Sequence, residues 1–62
     1  MNDKNFRNRL ILIVDDEARM RKFVHMNLQV EGFRVIEASN GQEALERIRT
    51  ELPHLVVMDV AM

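Results

Sequence analysis

The run Leu10-Ile11-Leu12-Ile13-Val14 constrains what this chain can fold into more than any other stretch. It is short, unbroken and rich in β-branched residues, and it stops abruptly at Asp15-Asp16. A strand with one wet face would alternate apolar and polar residues. An unbroken apolar run instead marks a strand buried on both faces, as in a parallel sheet covered by helices. Five residues are far too few for a membrane span or a signal-peptide core. Such a strand needs a neighbouring strand to pair with and helices above and below it.

The flanking sequence supplies them. Glu17 to Glu31 is composed of helix formers, with Met20, Phe23, Val24 and Leu28 at three- and four-residue spacings on one face. Gly32 provides the C-terminal stop. Phe33 to Ala38 predicts a second strand, but Arg34 and Glu37 interrupt its apolar run, which suits a sheet edge. Asn40 with Glu43 three residues on fits a capping box. The spacing then predicts a helix over Gln42 to Leu52, with Ala44, Leu45, Ile48 and Leu52 inward and Pro53 closing it. Leu55-Val56-Val57-Met58 predicts a third strand that ends on Asp59.

The order is therefore β-α-β-α-β, with crossovers long enough for parallel strands and right-handed by rule. Two packings are open. If the strands all proceed in one direction, the first is an edge. If the chain doubles back, the order is 2-1-3 with one helix on each face. The unbroken first strand and the charged second strand favour 2-1-3, an α/β, partial doubly wound parallel sheet.

No linker or low-complexity segment divides the chain. Residues 1–9 read as a flexible leader and residues 10–62 as one small domain. At 62 residues, core burial only just offsets ordering entropy. There is no cysteine to add a disulfide, and a reducing cytoplasm is the expected compartment. The apolar content of 47% argues for a packed core. A net charge of −1 gives no nucleic-acid footprint, so direct contact with nucleic acid is not expected from this segment.

In doubly wound sheets, ligands sit beyond the carboxyl ends of the strands where the winding reverses. Here that point lies between the first and third strands, and Asp15, Asp16 and Asp59 wait there. Only one other aspartate, Asp3, exists in the chain. At ~4 Å and an effective dielectric of ~20, a like-charged pair costs about 4 kcal/mol, so such a cluster calls for a cation. Oxygen-only ligands suit Mg²⁺ rather than zinc. A carboxylate beside the metal can be the nucleophile in phosphoryl transfer.

Simpler roles exist for each residue. Asp16 could cap the first helix, and Asp59 could be an ordinary strand-terminal acid. Their concurrence at the switch point argues for a site. His25 reads as a partly exposed helical residue and His54 as a solvated loop residue. Arg19, Arg21 and Lys22 read as a solvated helix face, and Met20, Met58 and Met62 as core fillers. No cysteine–histidine spacing, nucleophilic serine motif or glycine-rich phosphate loop is present.

Three motifs then combine: VDDE after the first strand, EGFRVIEASNGQEAL across the second, and PHLVVMDVAM ending the third. With them, Leu10 to Met62 resembles the N-terminal half of a bacterial two-component response-regulator receiver domain, a flavodoxin-like fold. The resemblance implies a phosphoacceptor signalling domain rather than a turnover enzyme, with Asp59 as the acceptor. It implies Mg²⁺ held directly by Asp16 and Asp59, through water by Asp15, and by the backbone carbonyl of Ala61. The donor would be a phosphohistidine on a sensor histidine kinase, or a small acyl phosphate. It further implies that the chain is truncated after the third strand. The hydroxyl and lysine that hold the phosphoryl oxygens, and the aromatic switch residue, would lie beyond Met62.

An alternative from another class is a non-catalytic dimerisation or decoy fragment. A phosphatase of the haloacid dehalogenase type would want Asp-x-Asp, and Ala61 stands at the second position. The third strand, LVVM, would be an open and uncharged edge in a 2-1-3 sheet. That predicts either that the chain is part of a longer protein or that it self-associates through this strand.

Overall fold

Parallel pairing on both edges buries the whole of strand β1 (Leu10–Val14) in the computed structural model, which describes residues 8–58. Strands β2 (Arg34–Ala38) and β3 (Leu55–Met58) flank it, giving the order β2-β1-β3. Leu12, at the centre, is 0% exposed. The register sets Val14 opposite both Ala38 and Met58. Beyond the strand ends, the Arg34 N–H donates to the Arg9 carbonyl (3.1 Å) and the Asp15 N–H to the Ala38 carbonyl (3.2 Å). The doubly wound order expected from the apolar first strand is the one observed.

Helices α1 (Ala18–Val30) and α2 (Gly41–Glu51) form the crossovers. From α2, buried Ala44 and half-buried Ile48 pack with Leu12, Val14, Ile36 and Ala38. These strand residues alternate along β1 and β2, so they share one face of the sheet. Glu37 alternates with them and meets Arg21 and His25 of α1, which places α1 on the opposite face.

Both helices end as their sequences suggest, with two differences of detail. Gly32 adopts a φ of 99°, its N–H donates to the Gln29 carbonyl and the Phe33 N–H donates to that of Leu28. This pair of bonds is a Schellman closure, which needs a left-handed residue at Gly32. At the start of α2, Asn40 Oδ1 accepts from the Glu43 N–H (2.8 Å). The Glu43 carboxylate reaches back one residue further than a standard capping box, to the Ser39 N–H (2.7 Å). Leu52 is not an inward helix residue: it is the left-handed cap, with a φ of 49°, and it is exposed. Its N–H still closes the helix on the Ile48 carbonyl.

Several expected core positions are exposed: Met20, Phe23, Leu45 and Met58. Met62 lies outside the described residues. The cause is the narrowness of a three-stranded sheet. A helix with an apolar stripe over 100° wide fills only part of that stripe against so small a surface. In α1 the flank carrying Met20 and Phe23 is the part left over, and no residue of this helix is buried. Strand β3 fares similarly, since all four of its residues are exposed and among the described residues it pairs on one edge only.

His54 is an exposed loop residue, as expected, but it is also bonded to β1. Its N–H donates to the Leu10 carbonyl (2.8 Å), and its Nδ1 accepts from the Leu10 N–H (2.9 Å). The imidazole thus stands in for a ladder acceptor at the start of β1.

Candidate functional site

Two acids sit together at the carboxyl end of the central strand, and their surroundings separate them. Asp15 is buried, with 7% exposure, and three bonds hold it. Its N–H pairs with Ala38, its Oδ1 accepts from the Glu17 N–H (2.9 Å), and its carbonyl accepts from Arg21 Nη1 (2.7 Å). Met20, Val24 and Met58 border it around a hollow of about 260 Å³. Asp16 is exposed and makes no side-chain hydrogen bond among the described residues. The helix-capping role open to Asp16 is therefore not taken up. Glu17 occupies the cap position without a side-chain bond, and Asp15 satisfies the Glu17 N–H instead.

Asp59 and the Ala61 carbonyl lie outside the described residues. The register sets Val14 beside Met58, and the next residues in sequence are Asp15 and Asp59. Among the described residues no group of three or more His, Cys, Asp or Glu converges. Asp15 and Asp16 by themselves supply two carboxylates, a donor type that suits a hard cation.

A second cluster lies beside the first. Arg21 Nε donates to Glu37 Oε1 (2.7 Å), and His25 Nδ1 contacts Glu37 Oε2 (2.6 Å). The carboxylate can only accept, so His25 carries its proton on Nδ1. These side chains are 17 to 24% exposed, so Arg21 is no solvated surface residue. Sequence reasoning missed the cluster. Its available signal was an acid inside an apolar strand, facing a helix that carries Arg21 and His25 four residues apart.

Burial pushes the Glu37 carboxyl up, but the hydrogen bonds from Arg21 and His25 and the charges of Lys22 and His25 outweigh it. The net result lies below the ordinary value of 4.5. A carboxyl depressed in the folded state stabilises the fold above its unfolded value and loses that contribution as pH falls. Glu37→Gln is therefore expected to cost about 2 kcal/mol at pH 7. The gap to the parent chain should narrow below pH 4.5. Urea unfolding of both chains between pH 3 and pH 7 checks this, and a gap that stays constant contradicts it.

Residues 11–62 match the family described as the response regulator receiver domain. The chain is 54% identical over 52 residues to the probable transcriptional regulator ycf27 of Porphyra purpurea, covering 84% of this chain and 21% of that protein. It is 46% identical over 55 residues to the alkaline phosphatase synthesis transcriptional regulatory protein PhoP of Bacillus subtilis (strain 168), covering 89% and 23%. A ycf27 protein of Cyanidium caldarium is 41% identical over 61 residues, covering 98% and 24%. The chain thus spans less than a quarter of the length of these relatives.

Proposed function

The chain belongs to the response regulator receiver domain family, a regulatory family of two-component signalling, and on that premise we propose that Asp59 is its phosphoryl acceptor. The observation that carries this reading is the acid pair at the end of β1, beside the point where the winding of the sheet reverses. In this proposal Asp15, Asp16, Asp59 and the Ala61 carbonyl hold Mg²⁺. Asp16 is open to solvent, and buried Asp15 is held in place by its three bonds, which suits a carboxylate site for a hard cation. When bound, the metal would neutralise charge on the transferring group.

The chain's own contribution is the nucleophile. An Asp59 carboxylate oxygen bonds to phosphorus while the donor's P–N bond breaks, or the P–O bond of an acyl phosphate, and a mixed anhydride forms. The donor is a phosphohistidine of a sensor histidine kinase, or a small acyl phosphate. We place the reaction in the cytoplasm. Among the described residues no helix is long and apolar enough to cross a membrane.

Incubation with acetyl phosphate and Mg²⁺, followed by mass spectrometry, tests the assignment. A gain of one phosphoryl group on Asp59 is expected, abolished by EDTA and by Asp59→Asn. A phosphoryl gain that persists in Asp59→Asn, or that EDTA leaves intact, sinks it.

A second reading rests on β3. Among the described residues its outer edge is unpaired, and Leu55, Val56, Val57 and Met58 are all exposed. Such an edge templates pairing with another chain, and natural sheets blunt it with charge. The 62-residue chain is therefore expected to self-associate through β3, and Val57→Lys should shift it towards monomer. Light scattering after size exclusion reads both. A parent chain that is monomeric at high concentration rules this out.

A further inference from the structure

The Arg21 guanidinium joins three elements. Through Nη1 it holds the Asp15 carbonyl at 2.7 Å, and through Nε it holds Glu37 of β2 at 2.7 Å. Its own backbone N–H donates to the Glu17 carbonyl in the first turn of α1 (3.0 Å). Glu37 is in turn gripped by His25 one helical turn along. The peptide that follows the Asp15 carbonyl is the one that carries Asp16. Fixing that carbonyl therefore fixes the direction in which Asp16 leaves the sheet, as the Glu17 N–H fixes the Asp15 carboxylate. Arginine suits this task because its planar fork offers donors to two acceptors at once. Glu37 offsets its charge, so a cation placed at the acid pair faces a neutralised neighbour.

We propose that Arg21 is a positioning residue for the acid pair: by holding the Asp15 carbonyl against α1 and β2, it sets Asp15 and Asp16 in the orientation that takes a divalent cation. This rests on the metal reading given above. Two simpler roles for Arg21 predict different results. If it acted only through its charge, removing it would tighten cation binding, because a positive group near the site is lost. If it acted only through general stability, any equally destabilising change in α1 would have the same effect. Positioning alone predicts weaker binding with a specific change at the Asp15 carbonyl. Loss of a group that orients a metal ligand typically weakens affinity about 10- to 100-fold.

The experiment is a Mg²⁺ titration of the 62-residue chain followed by NMR, comparing the parent with Arg21→Gln, Arg21→Lys and Leu28→Ala. Leu28 lies at the far end of α1, half-buried near Ile11 and Phe33, and touches neither acid. The expected result is that Arg21→Gln weakens Mg²⁺ binding about tenfold or more. The Asp15 carbonyl carbon should move upfield as its hydrogen bond is lost. Arg21→Lys keeps the charge but cannot hold both acceptors, so it should weaken binding as well and move the same carbon. Should Arg21→Gln fail to fold, Arg21→Lys decides the question. Leu28→Ala should destabilise the chain yet leave Mg²⁺ affinity and the Asp15 carbonyl unchanged. Binding by the Arg21 variants that equals or exceeds that of the parent overturns the proposal while leaving the metal reading intact. A parent chain that binds no Mg²⁺ overturns the metal reading itself, and this proposal with it.

Discussion

Asp16→Ala is expected to weaken Mg²⁺ binding by about a hundredfold, roughly 2.7 kcal/mol, while leaving the fold in place. Asp16 is exposed and bonds to nothing among the described residues, so its removal takes a carboxylate from the cation and nothing from the core. Its neighbour should behave differently. Asp15→Ala removes the acceptor for the Glu17 N–H at the entrance of α1, which costs about 1 kcal/mol in addition to any loss of metal. Two adjacent acids of the same type thus give one variant that is folded but binds weakly and one that is destabilised as well. Thermal unfolding without metal, paired with Mg²⁺ titration, separates the two. An Asp16→Ala chain that binds Mg²⁺ like the parent would remove Asp16 from the site.

The second large effect belongs to the core. Among the described residues Leu12 is the most deeply buried large side chain, packed with Val14, Ala38 and Ala44 and covered by Ile36 and Ile48. Leu12→Ala should cost about 3 kcal/mol, from lost transfer energy and the cavity left behind. A core of this size rarely supplies more than about 3–5 kcal/mol in total, so the variant should be largely unfolded at room temperature. Urea unfolding followed by circular dichroism measures it. Association through β3 would add to the apparent stability, so both chains are compared at one concentration. A loss below about 1 kcal/mol would mean that the sheet does not close around Leu12 as described.

How much of this was legible beforehand differs by residue. Strand β1 could be read at once, because five consecutive apolar residues need a covering layer on each face of the sheet. The edge position of β2 followed from its charges, and the start of α2 from Asn40 and Glu43. The acid pair was legible as a candidate site because strand ends and the reversal of winding follow from element order alone. Within the Arg19, Arg21 and Lys22 group, by contrast, Arg21 could not be singled out. Whether a helical arginine is solvated depends on what stands opposite, and Glu37 is opposite only once α1 has packed on β2.

Sequence by itself therefore determined the elements, their order and the placing of Asp15 and Asp16 at the end of β1, since these follow from periodicity, propensity and chain direction. Tertiary structure alone decided the rest. It made Asp15 a buried structural acid and Asp16 an open one, turned His54 into a backbone partner of β1, and left Met20, Phe23 and Met58 uncovered. The physical reason is common to all of them. Burial and hydrogen-bond partners at these positions come from residues distant in sequence, and a one-dimensional pattern records how a residue could be used but not what comes to face it.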